Sequence, residues 1–521
     1  MTKTFREITS EDVGKKFELQ ARVKTIKQTS GPTLMVLNDG TANFTLKAFL
    51  RPGARAYPEI ELEDDVKVGF EVRERKDSIE GEAYSMEKLS SKDSAKFQKA
   101  IDKQQLDKVK PVSTSFSIQS EVLEKLKPRF VQVASIIREA VLEGRPILLR
   151  HNADCDGYSS AITIERAILS FMDEITGNDL LSQYQLYRRA PSKAPFYEYE
   201  DAVKDLCYWL RDKVKNGYKP PLIIITDNGS TQEDILAMQQ MLLYDAKIVV
   251  VDHHYPGEVK DGKVEVDKYI EAHINPYLEG FDSNVCTGML GFELANFIHD
   301  KHTNSVLIPA MAAILDHCDG TEKDQYIVQA EAEGYTQDYM AKLGEIVDMQ
   351  SHYLRFQESR EFIDDLFGKN KAAQERIVQL LAPELEKRYK QVEEVAQYYA
   401  EKEDFGPFYL IHFDGEKGTN RGEYPAVGKT TNHIHKIFEQ GLDKPIVTAT
   451  SGSTFLTVRV SDGISRISIP EFAGQIMREH PYTRAEGGGH ERAGSVKFVE
   501  YGRTKVMEEF KAYLRKVASL Q

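Results

Sequence analysis

Over residues 1–90 apolar and polar positions alternate in short runs: FELQARVKTI (17–26), TLMVLNDG (33–40), NFTLKAFL (43–50), VKVGFEVRER (66–75) and GEAYSMEKL (81–89). A period of two marks strands with one buried face, and the Gly, Pro and Asp residues between the runs supply turns. Five such strands in succession predict a small barrel. Residues 91–118 are polar and read as a linker with some helix. From residue 119 the pattern changes: PILLR (146–150), PLIIITD (221–227) and KIVVVDHH (247–254) are apolar up to the polar residues at their ends. Strands without a polar face are buried on both sides, as in a parallel sheet covered by helices. Helical segments at 158–173, 199–215 and 231–245 separate them. This predicts a doubly wound α/β domain whose ligands bind past the strand C-termini. Residues 322–404 are helical and charged, and a smaller α/β unit begins at FGPFYLIHFDG (405–415).

Composition narrows the class. The 521 residues are 41% hydrophobic and 29% charged, ordinary values for a globular protein. No apolar run approaches the ~20 residues a bilayer crossing requires, and MTKTFREITS is too polar for a signal peptide. A cytoplasmic protein without a membrane partner is expected. Cys155, Cys207, Cys286 and Cys318 form no C-x-x-C pair, which argues against a disulfide scaffold and a thiolate zinc site. Lys and Arg number 68 against 82 Asp and Glu, a net charge of −14. That excess at first disfavours a nucleic-acid partner. Net charge averages over faces, however, and much of the acid lies in 322–404. The expectation is therefore modest, salt-sensitive binding confined to a groove.

The chemistry sits at the strand ends. The first central strand runs into RHNADCDG, with His151, Asp154 and Asp156; the second ends at Asp227; the third ends at Asp252, His253 and His254. A mostly apolar run, IPAMAAILDHCDG, ends at Asp316, His317 and Asp319. Carboxylates and imidazoles gathered without cationic partners call for divalent metal, and Asp/His sites lacking Cys suit Mn²⁺ or Mg²⁺. Competing motifs fail. NADCDG starts like a calcium loop, but position twelve is Thr163 and a strand precedes it. GEYPAVGKT has five residues between its glycines where a phosphate-binding loop has four; Arg421 and Lys429 remain candidate phosphate contacts. His433 and His435 are two apart and do not share a helix face. His317 and Asp319 read as solvated neighbours, Cys155 as packed, and Trp209 as core.

These motifs, with GGGHERAGSVKF at 487–498, resemble the DHH phosphoesterase superfamily and, within it, the RecJ-like nucleases of archaeal type. The resemblance spans about 120–320 and 405–510. It implies a doubly wound parallel-sheet DHH domain and a smaller C-terminal α/β domain, while the five-strand pattern of the N-terminal β-barrel is itself OB-fold-like. The expected division is a barrel over 1–90, a linker over 91–118, the catalytic domain over 119–345, a helical connector over 346–404 and a substrate-binding domain over 405–521. By the resemblance, Asp227 bridges two divalent cations, Asp154 with His151 completes one site, and Asp156, His253 and Asp316 complete the other. It gives His254 the phosphate or leaving oxygen and Asp252 the orientation of a neighbouring imidazole. Arg459, Gly487, Gly488, Gly489, His490 and Arg492 are its candidates for holding the substrate end. The implied activity is a RecJ-like exonuclease degrading single-stranded DNA or RNA to mononucleotides, with replication or repair proteins as further partners. A phosphodiesterase of short oligoribonucleotides or cyclic dinucleotides is the alternative, and a replication scaffold without catalysis the second. In the barrel, Phe44, Phe49, Tyr57 and Phe70 beside Lys24, Lys27, Lys47, Arg51, Arg55, Arg73 and Arg75 are candidate strand-binding residues.

Overall fold

The computed structural model describes residues 3–75, 78–176, 185–192, 194, 196–212, 218–354, 360–418 and 422–521; the side chains of 78, 102–106, 176, 212, 418 and 490 lie outside that description. The chain forms two compact units, Met1–Lys369 and Asn370–Gln521.

The first unit opens with β1 (Lys16–Gln28), β2 (Thr33–Asn38), β3 (Asn43–Ala48), β4 (Asp65–Arg75) and β5 (Ser78–Lys88). They close into a barrel in the order β1-β2-β3-β5-β4, with β3 and β5 parallel and the other neighbours antiparallel. The period-two pattern sends Val23, Met35, Leu37, Leu46, Val68 and Phe70 inward, where all are fully buried. Each such side chain contributes about 1.5–3 kcal/mol on leaving water. The polar stretch that follows is mostly one helix, Ser91–Val109, N-capped by Ser90, whose side chain accepts from the Asp93 amide. The Lys108 ammonium in its last turn donates to the carbonyls of Gly40 and Thr41 at 3.1 and 2.8 Å, and Arg138 donates to the Lys108 carbonyl at 2.9 Å. The barrel is thereby tied to the α/β domain.

In that domain β6 (Ile147–His151), β7 (Tyr187–Pro191), β8 (Leu222–Thr226), β9 (Lys247–Val251) and β10 (Ala272–Ile274) form a parallel sheet in the order β10-β9-β8-β6-β7. The three runs read as two-sided strands are its middle, and Leu222 through Ile225 are wholly buried. β7 and β10, at the edges, are short and carry polar residues, so their hydrophobic signal is weak. Long helices cover the sheet, among them Glu121–Leu142, Cys155–Thr176 and Thr287–Ile298.

The second unit begins with the helix Lys371–Tyr399. Its sheet comprises β11 (Glu401–Asp404), β12 (Tyr409–Asp414), β13 (Ile446–Ser451), β14 (Phe455–Val460), β15 (Glu486–His490) and β16 (Ala493–Lys497), in the order β11-β12-β13-β14-β16-β15. Only β12 and β13 are parallel neighbours.

Candidate metal centre

β6 and β8 are sheet neighbours, yet after β6 the chain goes to β7 at one edge, and after β8 it goes to β9 and the other edge. Their following loops diverge and leave a crevice at the carboxyl ends, the place where open α/β sheets bind ligands. Asp154 and Asp156 lie on one side of it and Asp227 on the other.

Asp227 is held in an uncommon backbone state. Its φ is +56°, a left-handed conformation that Asp tolerates better than most residues, and its amide donates to the Val251 carbonyl at 3.0 Å. Oδ1 lies 3.6 Å from His253 Nε2 and 3.8 Å from His254 Nδ1, and accepts the Thr287 hydroxyl at 3.3 Å. Oδ2 is buried and has no hydrogen-bond partner among the described residues. Burial, then the charges of Asp154, Asp156, Asp252 and Asp316, push the Asp227 carboxyl well above its ordinary range. The negative charge converging there needs a counter-charge.

Asp156 is buried, and both its oxygens accept from the start of the helix Thr287–Ile298: the Thr287 amide at 2.9 Å and the Gly288 amide at 2.8 Å. The helix N-terminus favours the anion. A Cβ on Gly288 would stand 2.9 Å from Asp156 Oδ1 and 2.5 Å from Ala312 Cβ, so only glycine fits. His253 Nδ1 donates to the Ser283 carbonyl at 2.9 Å, which turns Nε2 toward Asp227 and toward Asp156 Oδ2 at 3.8 Å. Burial opposes protonation of His253, but the carboxylates of Asp316, Asp156 and Asp252 outweigh it and lift the imidazole to about 10.

Asp252 organises the turn after β9. Its Oδ1 accepts the amides of His253 and His254 at 2.8 and 3.2 Å and the His254 Nδ1–H at 2.8 Å. Asp316, the residue after the helix Leu307–Leu315, is half-buried with Oδ2 3.7 Å from His253 Nδ1. Burial raises it to about 6, against the lowering effect of His253 and His254 and with support smaller than burial's from Asp156 and Asp154. Asp154 accepts the Gly157 amide at 3.0 Å and the Asn152 side chain at 2.6 Å. His151 is fully buried against Tyr158, with ring centroids 4.4 Å apart, and its Nε2 has no partner among the described residues. Burial, then the charge of Arg189, lowers it to about 3, which keeps a lone pair for a ligand.

The profile of the DHH family, N-terminal domain, matches residues 147–316, the span that holds all of these groups. An uncharacterized protein of Methanocaldococcus jannaschii is 38% identical over 515 residues, covering 94% of this chain and 68% of that protein. The chain belongs to the DHH family. A solved structure described as the DHH domain of a member of a ribosomal-protein family is 32% identical, with a TM-score of 0.78 over 82% of this chain and 99% of that one. RecJ from Thermus thermophilus, solved in complex with Mn²⁺, shares the fold at 15% identity, with a TM-score of 0.51 over 79% of this chain and 57% of that one. The chain is thus a DHH-family protein with a RecJ-like fold.

Three further groups complete the DHH site, and none carries a sequence signal of its own. Thr287 and Gly288 bind Asp156 from 131 and 132 residues away, and Asp348 accepts the Cys155 amide at 2.6 Å from 193 away. Spacing cannot reveal partners so remote. His317 and Asp319 are exposed, as expected of neighbours. His433 and His435 diverge, one to Glu393 at 3.0 Å and the other to Thr448 at 2.9 Å.

In the second unit of this DHH protein, Arg459 on β14 donates to the Asn432 side chain and, at 2.9 Å, to the Val458 carbonyl. Burial alone lowers its guanidinium to about 10. Arg492 pairs with Asp462. Gly487 and Gly489 are fixed by packing: a Cβ on Gly487 would lie 2.8 Å from the Ser495 carbonyl oxygen, and Gly489 has φ +120°. Gly488 between them faces open space. The His490 backbone pairs with Ala493, while its side chain lies outside the described residues, as does all of Arg421.

The barrel reading needs correction. Phe44 and Phe70 are core residues, 5.4 Å apart by ring centroid and packed with Phe5, so neither can stack a base. Lys24 pairs with Glu63, Lys47 and Arg75 with Glu80, and Arg73 with Glu71 and Glu82. Of the four aromatics named from sequence, Phe49 is well exposed, at 57%. Phe44 and Phe70 both stand on the apolar faces of their strands, which the closed barrel turns inward.

Proposed function

We propose that this DHH protein is a metal-dependent exonuclease that shortens single-stranded DNA or RNA to mononucleotides. The observation that carries the reading is the convergence of Asp154, Asp156, Asp227, Asp252 and Asp316 with His253 and His254 at one crevice, where no Lys or Arg ion pair meets these carboxylates among the described residues. The unpartnered atoms Asp227 Oδ2 and His151 Nε2, both buried, are further donors awaiting a ligand. Oxygen and imidazole donors of this kind fit two divalent cations, Mn²⁺ or Mg²⁺. In this assignment Asp227 would be shared by both cations, Asp154 with His151 would hold one, and Asp156, His253 and Asp316 would hold the other. Bound there, two cations lower the pKa of a water and offset charge on the phosphodiester oxygens.

The chain's own groups supply the rest. Ser283 fixes the His253 tautomer through Nδ1, so that Nε2 is the donor atom. The helix start at Thr287 holds the Asp156 carboxyl in place through two backbone amides. With Nδ1 engaged by Asp252, His254 offers Nε2 to the phosphate or the leaving oxygen. Gly488 and Arg459 in the second unit are the proposed holders of the strand end, with Arg492 and His490 beside them in sequence.

The test is hydrolysis of end-labelled single-stranded DNA and RNA with Mn²⁺ or Mg²⁺. Asp227→Asn, which tolerates the left-handed backbone, should lower turnover by more than about 100-fold, beyond the loss of an outer-sphere partner. Substantial residual activity would defeat the bridging assignment. The burial of Phe44 and Phe70 favours one second reading, a phosphodiesterase of short or cyclic oligonucleotides. Turnover confined to two- to five-residue substrates would establish it.

A further inference from the structure

Behind the DHH turn lies a buried polar chain that the metal chemistry does not use. Asp267 precedes β10, His273 lies within it and Asn275 follows it, while Ser230 comes from the loop after β8. Asp267 Oδ1 is 2.8 Å from His273 Nδ1, and His273 Nε2 is 2.9 Å from Ser230 Oγ. The Asn275 side-chain amide donates both to Ser230 Oγ at 3.1 Å and to the His254 carbonyl at 2.9 Å. The chain thus crosses the carboxyl ends of β8, β9 and β10 beneath the turn.

A Ser–His–Asp sequence of contacts invites comparison with a nucleophile, and burial rules that out. Ser230 has no exposed surface, and its oxygen already receives the Asn275 amide, so no substrate carbonyl or phosphorus can reach it. Hydrogen-bond accounting gives another role. A carboxylate accepts only, so His273 Nδ1 carries a proton toward Asp267. Asp267 is itself fixed, since its Oδ2 accepts the Val264 amide at 2.9 Å. Arg129 locks the strand from the other side by donating to the carbonyls of His273 at 3.4 Å and Gly262 at 2.9 Å and pairing with Glu279 at 2.8 Å. Ser230 Oγ shares a hydrogen bond with His273 Nε2 on one side and accepts the Asn275 amide on the other. Asn275, which donates to both Ser230 Oγ and the His254 carbonyl, ties the serine to the turn.

We propose that Asp267, His273 and Ser230 form a positioning relay which acts through Asn275 to fix the Asp252–His254 turn and so the imidazole offered to the phosphate. The relay rests on the phosphodiesterase reading for its consequence in catalysis, but not for its effect on the turn. It is built from rigid strand ends rather than mobile loops, and a site so supported holds its geometry without substrate. Ser230 and His273 are positioning residues, since neither touches the crevice directly.

Ser230→Ala, His273→Ala and His273→Gln in the full chain test this, the last because its amide can still donate toward Ser230. With Mn²⁺ and a labelled single strand, Ser230→Ala and His273→Ala should lower kcat about 10- to 100-fold, as outer-sphere losses do. KM and Mn²⁺ affinity should hold, and His273→Gln should recover part of kcat. In metal-free protein carrying ¹⁵N-labelled histidine, both alanine variants should shift the His254 Nδ1 resonance, independent of any activity. Unchanged kcat and an unchanged His254 signal, in variants that melt like the parent or lower, would overturn the relay. A wild-type protein inactive on every strand would instead defeat the exonuclease reading, leaving the histidine signal to decide the relay by itself.

Discussion

Asp227 has four carboxylates acting on it and a left-handed backbone beneath it, a cost of order 1–3 kcal/mol. The same crowding sets the pH behaviour. His253 is lifted to about 10, so at neutral pH the metal-free protein carries an imidazolium that a cation must displace. Mn²⁺ binding should therefore release a proton and strengthen as pH rises from 6 to 8, which calorimetry in buffers of different ionisation enthalpy will show. Asp316 carries the complementary signature. Its folded pKa is near 6, above the unfolded value, so it supports the metal-free fold at low pH and loses that contribution as pH rises from about 4 through 6. Asp316→Asn should accordingly raise the melting temperature of metal-free protein at pH 7.5 relative to its effect at pH 4. The reverse ordering would mean that Asp316 is not pressed by its neighbours.

At the scale of elements, the helix start at Thr287 and the strand β6 carry the site between them. Gly288→Ala places a methyl 2.5 Å from the Ala312 Cβ and 2.9 Å from Asp156, so the helix must retreat. Weaker Mn²⁺ binding and a lower melting temperature are expected together, and a change in stability alone would separate the helix from the ligand. β6 has its own constraint. Arg150 is buried and pairs with Asp205 through Nε at 2.8 Å and with Asp201 at 3.5 Å, while the Tyr197 hydroxyl donates to Asp205 at 3.0 Å. Burial alone would lower the guanidinium, but these two carboxylates keep it firmly charged. Asp205→Ala leaves that cation without its main partner and should cost about 3–5 kcal/mol in urea unfolding. His151 adjoins Arg150 on this strand, so the first metal-site loop depends on an ion pair more than 50 residues away in sequence.

For the whole molecule, the open question is where a long strand would lie. The net charge of −14 leaves no generally basic surface, and much of the barrel's cation content is paired with acid on the same barrel. Phe49, Leu50 and Arg51 form an exposed segment just past β3. Phe49→Ala combined with Arg51→Glu should weaken binding of a long single strand, most at low salt, while hydrolysis of short oligonucleotides persists. Unchanged binding in filter or anisotropy assays would assign the barrel to protein contact. No described helix is long and apolar enough to cross a membrane.

The sequence by itself determined the strands and the loops that bear the chemistry. Burial on both faces writes continuous apolar runs, barrel closure writes alternation, and Asp154, Asp156, Asp227, His253 and Asp316 each stand just past the end of an apolar run. Those are local facts, recoverable within about ten residues. Only the tertiary structure decided which remote groups hold the ligands: Ser283 for His253, Thr287 and Gly288 for Asp156, and His273 for Ser230. It also decided that Phe44 and Phe70 face the barrel core, and that two short polar strands complete the parallel sheet. The physical reason is shared. Hydrophobic periodicity encodes how a residue meets water, whereas a hydrogen bond between segments 30 to 132 residues apart depends on where packing brings their ends.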